Sequence, residues 1–169
     1  GVYEFGPSYF VGGGPKGAGE VDQRLARSMS AAVYVLDAVL IRAANGFADQ
    51  AFFTFGHNTG PWGTHTTLDY GGHGYPKWKA MKLFNLHGSG DYIDCEFVSA
   101  PQWDFPEYTS VDNMRKRKRP AMPEAPLISV YSCRQNDRLT VFLLSRKLDN
   151  FPIQADDGYT PATIHLPFD

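Results

Sequence analysis

The feature that most constrains the fold of this chain is a change in hydrophobic periodicity near Asp91. Before it, strand-like apolar runs alternate with helical patterns in the order strand, helix, strand, helix. Such alternation favours parallel strands joined by crossover helices. After it, apolar residues recur at strand spacing, which is typical of antiparallel strands. We therefore predict two units, residues 1–90 with α/β character and residues 91–169 with all-β character.

Each predicted element is bounded by residues that stop regular structure. In the first unit, glycine and proline follow the first strand, Asn45-Gly46 follows the long helix, and Pro76 begins the second helix. These four elements are Val2 to Phe5, Glu20 to Ala44, Gln50 to Phe55, and Pro76 to Gly88. The predicted strands of the second unit are Tyr92 to Val98, Leu127 to Cys133, Leu139 to Ser145 and Ala162 to Leu166. A hairpin turn is expected at Gln135-Asn136-Asp137.

The composition argues against a membrane protein and against a nucleic-acid-binding protein. The longest apolar stretch, Ala31 to Ile41, is interrupted by Asp37 and is too short for a membrane helix, so we predict a soluble protein. A net charge of -2 removes a general electrostatic case for nucleic acid as a partner. Gly1 begins a strand-like run without signal-peptide features, which suggests a fragment or a processed chain. The compartment stays open, and a secreted or periplasmic location is compatible with these features.

The two cysteines, three evenly spaced histidines and a run of five consecutive cations each allow more than one interpretation. Cys95 and Cys133 could form one disulfide bond, and the sequence leaves this open. The eight-residue spacing of His57, His65 and His73 lacks the close pairs of most metal sites, so we predict no metal. The five cations from Arg115 to Arg119 are expected in a solvated loop, with a polyanion patch, a nuclear signal or a contact to the acidic remainder as alternatives.

Four short segments can be compared with known enzymes. They are Val2-Tyr3-Glu4-Phe5-Gly6-Pro7, Phe52-Phe53-Thr54-Phe55-Gly56-His57, Tyr75 to Asn85, and Leu139 to Arg146. Their order and character resemble the C-terminal portion of retaining glycoside hydrolases of the large (β/α)8-barrel clan. The members most similar are α-L-arabinofuranosidases and β-xylosidases, in which a β-sandwich follows the barrel.

The resemblance implies a fold of the α/β plus all-β class. Residues 1–90 would form the last two β/α units of a partial (β/α)8 barrel, and residues 91–169 an antiparallel β-sandwich. Glu4 matches the nucleophile at the end of the seventh barrel strand. Family members take their acid/base from an Asn-Glu pair, and this chain contains no such dipeptide. The acid/base is therefore expected outside this chain, with the N-terminal part of the barrel as a second chain or missing segment.

Retaining hydrolysis requires two carboxyl groups about 5 to 5.5 Å apart, one as nucleophile and one as acid/base. A sugar site also needs an aromatic platform and short polar side chains, and the stretch after Phe55 supplies both. The predicted substrate-binding residues are Tyr3, His57, Asn58, Trp62, Thr64, His65 and Tyr70. We thus expect a glycosidase acting on O-glycosidic bonds of oligo- or polysaccharides, without a cofactor.

Two other classes of function stay open. One is a noncatalytic carbohydrate-binding β-sandwich module, and the other is a structural subunit that docks its apolar faces onto a larger assembly. Spacing alone favours a solvated carboxylate at Glu4, whereas the resemblance favours the catalytic role. For Trp62, a packed loop anchor is the alternative to a sugar platform.

Overall fold

A computed structural model describes residues 1–5, 27–52, 64, 72–96, 98–112, 115–146, 163 and 165 of this chain. This described part contains two helices and nine strands. In chain order they are β1 (Val2–Phe5), α1 (Met29–Ala44), β2 (Gln50–Phe52), α2 (Pro76–His87), β3 (Asp91–Ile93), β4 (Gln102–Phe105), β5 (Tyr108–Asp112), β6 (Arg115–Arg119), β7 (Met122–Pro126), β8 (Ile128–Gln135) and β9 (Arg138–Ser145).

Both helices end where the sequence predicts a stop. At the C-terminus of α1, the backbone N–H of Asn45 donates to the Ile41 carbonyl over 3.1 Å. Gly88 follows α2, and its N–H donates to the Phe84 carbonyl over 2.7 Å. The start of α1 differs from the prediction, because Ser28 caps the helix by accepting from the backbone N–H of Ala31 over 3.4 Å. The helix therefore begins at Met29, while residues 20–26 lie outside the described part.

The described strands form four small sheets. β1 and β2 pair in parallel, with Val2 opposite Gln50 and Phe5 opposite Phe52. The other three sheets are antiparallel and have the orders β3-β8-β9, β4-β7 and β5-β6. The predicted hairpin is confirmed, since β8 and β9 pair along their full length. Asn136 takes the positive φ of 54° that its turn requires.

One hydrophobic cluster joins α1 to the parallel pair and to the sheet β3-β8-β9. Its buried members are Phe5 from β1, Val35, Val39 and Leu40 from α1, Cys133 from β8, and Phe142 and Leu144 from β9. Burial of each large side chain of this kind contributes about 1.5 to 3 kcal/mol of transfer free energy. The cluster thus holds the predicted α/β segment against the β8-β9 hairpin.

The predicted partial (β/α)8 barrel is wrong. A barrel strand pairs with a neighbour on each side, whereas β1 and β2 pair only with each other among the described strands. α1 packs against α2 and against the antiparallel strands β3, β8 and β9. An alternation of strand and helix is common to a barrel and to a single parallel pair, so this pattern could not separate the two folds.

The antiparallel half also differs from the predicted β-sandwich. The described strands form three separate antiparallel sheets, and one of them, β3-β8-β9, packs against a helix. The run Arg115 to Arg119 is strand β6, not the expected loop, because every one of its residues pairs with a residue of β5. The predicted strand from Tyr92 ends early, at Ile93. Of the predicted strand Ala162 to Leu166, most residues lie outside the described part.

Among the described residues, neither helix combines the length and the apolar character that crossing a membrane requires.

Candidate functional site

The candidate site lies where the two parallel strands end. β1 ends at Phe5 and β2 at Phe52, and these residues are paired in the strand register. Because parallel strands run in one direction, the chain leaves both strands at the same edge of the sheet, where α/β proteins commonly place their ligands. The Phe5 and Phe52 rings meet edge to face, with centroids 5.4 Å apart and an interplanar angle of 88°.

Two basic side chains lie over the rings of this aromatic pair and a third lies over the ring of Tyr75, and we name Arg27, Arg42 and Lys77 the cationic edge. The guanidinium of Arg42 lies 4.7 Å from the centroid of the Phe5 ring. The ammonium of Lys77, in the first turn of α2, lies 6.0 Å from the centroid of the Phe52 ring. Arg27 lies 5.1 Å above the ring of Tyr75, the N-cap of α2. At such distances a cation is attracted by the negative face of an aromatic ring.

The electrostatics of the cationic edge favour an anion. Lys77 is fully buried, and this burial, together with the positive charge of Arg27, lowers the pKa of Lys77 to about 8. Two buried guanidinium nitrogens, Nε of Arg27 and Nη1 of Arg42, have no hydrogen-bond partner among the described residues. Positive charge in a poorly solvated place stabilises a nearby carboxylate in its ionised form.

Glu4 and Tyr3 lie on β1, within the parallel pair, where the structure describes their backbone. Glu4 directly precedes Phe5, so the strand brings its backbone to the edge at which β1 ends. Thr64 is buried, with 2% of its surface exposed, and its carbonyl accepts from the N–H of Tyr75 over 2.7 Å. This bond places Thr64 at the N-terminus of α2, next to the cationic edge.

The remaining predicted substrate-binding residues lie outside the described part of the chain. They are His57, Asn58, Trp62, His65 and Tyr70. Of the three evenly spaced histidines, the described one, His73, is exposed. Among the described residues, no group of three or more His, Cys, Asp or Glu side chains could hold a metal ion.

Sequence reasoning missed the cationic edge, although one signal for it was present. Lys77 directly follows the proline that opens α2, and the first turn of this helix carries no acidic residue. A cation at a helix N-terminus opposes the helix dipole. A lysine at this position therefore indicates a tertiary role, since local helix energetics disfavour it.

Cys95 and Cys133 are free thiols in this structure, which answers the question that the sequence left open. The Sγ of Cys95 lies 3.3 Å from the Ser132 hydroxyl oxygen. The Sγ of Cys133 lies 3.4 Å from the His87 carbonyl oxygen. Each thiol thus has its own oxygen partner.

A scan of protein-family models finds no match to this chain, and searches of curated proteins and of solved structures find no significant match.

Proposed function

We propose that this chain carries the nucleophile half of a retaining glycosidase site, with Glu4 as the nucleophile. The observation that supports this most is the parallel pairing of β1 with β2. It brings the backbone of Glu4 to the edge from which the chain leaves β2 toward the predicted sugar-binding segment. The resemblance of the motif around Glu4 to retaining glycosidases supplies the chemical assignment.

The proposed reaction has two steps. The Glu4 carboxylate must be ionised to attack the anomeric carbon. Its oxygen forms an ester bond to the anomeric carbon while the glycosidic C–O bond breaks and the leaving oxygen takes a proton from the acid. Water, deprotonated by the same acid/base, then cleaves the ester. The acid/base is assigned to a polypeptide segment outside this chain, and the reaction needs no cofactor.

The proposed sugar contacts are Tyr3, His57, Asn58, Trp62, Thr64, His65 and Tyr70. A series of contacts leads from one of them, Thr64, to Phe5, the residue that follows Glu4. Thr64 is bonded to the N-cap of α2, Lys77 in the first turn lies beside the Phe52 ring, and that ring meets the Phe5 ring.

Since oligo- and polysaccharide substrates are found mainly outside the cytoplasm, we also propose a secreted or periplasmic location.

Covalent trapping tests the proposed nucleophile without the missing acid/base. The probes are dinitrophenyl 2-deoxy-2-fluoro glycosides of arabinofuranose and xylose. Dinitrophenolate is a good leaving group and departs without protonation, while the fluorine slows hydrolysis of the glycosyl ester. We expect intact-mass analysis to show one added fluoroglycosyl group. Trypsin cuts after Lys16, and Glu4 is the only carboxyl side chain in residues 1–16, so the mass of this peptide assigns the modified residue.

Glu4→Gln removes the proposed nucleophile and should abolish the label. Glu96→Gln is the matched control, because Glu96 is an exposed carboxylate on the segment after β3 and should label at the unaltered rate. A label that persists in Glu4→Gln, or that maps to another peptide, contradicts the proposal. Binding of xylo- or arabino-oligosaccharides without any label favours instead the noncatalytic carbohydrate-binding module.

A further inference from the structure

Two of the small sheets, β4-β7 and β5-β6, follow one another along a single two-stranded ribbon. Phe105 pairs with Met122, and three residues further along each strand Tyr108 pairs with Arg119, so the register is the same in both sheets. The chain therefore runs out along β4 and β5 and returns along β6 and β7. Among the described elements, β5 and β6 make their main contacts with each other and add no residue to the hydrophobic cluster.

The two outer edges of this ribbon differ in their capacity to accept another strand. On the returning edge, Pro123 and Pro126 have no backbone N–H to donate, and every residue of β6 is a cation. Prolines and positive charges are common means by which an edge strand avoids pairing with another chain. β5 contains neither, and its residues Tyr108, Thr109 and Val111 favour strand conformation. Its outer edge pairs with no other described strand, so its outward N–H and C=O groups are a template for one.

We propose that β5 pairs with β5 of a second copy of this chain, antiparallel and two-fold symmetric about Ser110, so that the two ribbons form one four-stranded sheet. The sequence of β5 is self-complementary in this register. Ser110 meets Ser110 of the second copy on the axis, and Thr109 lies opposite Val111. Asp112, the charged residue of β5, lies opposite Tyr108. The pairing therefore brings no like charges directly opposite each other in the two β5 strands.

The charges of β6 favour pairing through β5 over pairing through β6. Two β6 strands side by side would set five cations against five, and like charges directly opposite destabilise a sheet. Pairing through β5 leaves the two β6 strands at the outer edges, three strand spacings or about 14 Å apart. This distance exceeds the Debye length of about 8 Å at physiological ionic strength, so their repulsion is screened. The same register places Asp112 of one copy in the cross-strand row of Tyr108 and Arg119 of the other.

Sedimentation velocity and amide hydrogen exchange of the full chain test this pairing. We expect the mean mass to rise from one chain toward two over a hundredfold range of protein concentration, because a strand contact of five residues gives a weak dimer. Alternate residues of β5 direct their N–H groups outward, and exchange of these amides should slow by about tenfold as the dimer forms. Added salt should leave the dimer intact, since backbone hydrogen bonds are its main contacts.

Ser110→Asp separates pairing between two copies from pairing within the ribbon. Inside one ribbon Ser110 pairs with Arg117, so the new carboxylate faces an opposite charge and the ribbon keeps its fold. Across the two-fold axis it faces the same carboxylate of the second copy, and we expect self-association to weaken by about tenfold. Asn85→Asp is the matched control, because it adds the same charge at an exposed position of α2 and should leave self-association unchanged.

Mixing two variants tests the symmetry of the contact. Ser110→Lys also sets like charges on the axis and should be monomeric by itself. An equimolar mixture of Ser110→Lys and Ser110→Asp should form a heterodimer at least about tenfold tighter than either homodimer, because the charges on the axis now attract. Thermal unfolding checks that each variant keeps its fold. If Ser110→Lys unfolds, amide exchange of β5 in the unaltered chain decides between pairing and no pairing.

Four outcomes would overturn the proposal. They are a mass of one chain at every concentration, a mass that grows beyond two chains, equal self-association of Ser110→Asp and Asn85→Asp, and a mixture of the two Ser110 variants that associates no better than either alone. A β5 edge that becomes protected only when a different protein is added also contradicts pairing between copies. The labelling of Glu4 is measured separately, and its result bears on the proposed glycosidase function alone.

Discussion

Asp37 on α1 and Arg146, directly after β9, form an ion pair in which the guanidinium Nη2 lies 2.6 Å from the carboxylate Oδ2. These residues are 109 positions apart in the chain. The other carboxylate oxygen accepts from the Tyr131 hydroxyl of β8 over 2.7 Å. The side chain of Asp37 is 19% exposed, so the contact is partly shielded from water. The Asp37 carboxylate thus links α1 to the antiparallel sheet β3-β8-β9.

Asp37→Ala should lower the free energy of unfolding by about 2 to 3 kcal/mol, because Arg146 and Tyr131 both lose a charged partner in a half-buried place. Urea unfolding measures this loss. Asp94→Ala is the control, since Asp94 is exposed after β3 and its removal should change stability by less than about 0.5 kcal/mol. Equal effects of the two substitutions would show that the ion pair does not secure α1.

Lys77 should make stability depend on pH in the alkaline range. Its pKa is lowered from 10.5 to about 8 by burial and by Arg27, so the folded state gives up this proton before the unfolded state does. Between about pH 8 and 10.5 the unfolded chain binds more protons, and the free energy of unfolding rises by up to about 3 kcal/mol relative to a variant without this group. Below pH 8 Lys77 is protonated in both the folded and the unfolded state, and its contribution to the free energy of unfolding no longer changes with pH.

The measurement for Lys77 is urea unfolding of the unaltered chain and of Lys77→Met from pH 7 to 10.5. We expect Lys77→Met to lack the rise that the unaltered chain shows. Lys82→Met, at an exposed position of α2, is the control and should retain the rise. A constant difference between the unaltered chain and Lys77→Met over this range contradicts a lowered pKa at Lys77.

The two cysteines should react at very different rates. Cys133 is 1% exposed, and burial raises the pKa of its thiol, so the reactive thiolate is scarce and shielded. Cys95 is partly exposed. With Ellman's reagent, one thiol should react in the native protein and the second only after denaturation. Cys95→Ser should remove the early phase, whereas Cys133→Ser should preserve it. Two equal rates, or no reactive thiol, would disagree with this structure.

Gly90, between α2 and β3, should tolerate no side chain. Its φ of +123° is strained for any other residue, and an added Cβ would meet the carbonyl group of Arg134. We expect Gly90→Ala to lower the free energy of unfolding by about 2 to 4 kcal/mol. Gly46 has a φ of +82° and open space around it, so Gly46→Ala should cost about 1 kcal/mol. Thermal or urea unfolding of both variants measures the two losses of stability. Gly46→Ala reports backbone strain alone, and Gly90→Ala reports backbone strain together with a steric clash.

Several local elements were predictable because their signals lie within a few residues. Pro76 and Gly88 mark the ends of α2, and Asn136 marks the turn between β8 and β9. The interruption of an apolar helix by Asp37 was also visible, although its partners were not.

The candidate site was predictable only in part. The parallel pairing that carries Glu4 follows from the alternation of strand and helix, and the role predicted for Thr64 stays a prediction. The cationic edge was not found, because Arg27, Arg42 and Lys77 come from three separate segments. Charges that are distant in the chain and close in space leave no periodic pattern. The strands β6 and β7 were missed because their mostly exposed residues lack the apolar alternation of a half-buried strand. β4 was missed although Trp103 and Phe105 alternate with Gln102 and Asp104, because the pattern spans only four residues.

By itself, the amino-acid sequence determined where most of the core elements lie and that one parallel pair exists, because helix caps, turns and hydrophobic periodicity act over short stretches of chain. Only the tertiary structure decided that the described strands form four small sheets, two of which pack with α1, and not a partial barrel with a sandwich. The choice between such folds depends on contacts between residues that are distant in the chain, such as Asp37 with Arg146. The energies of these contacts cannot be read from a local sequence pattern.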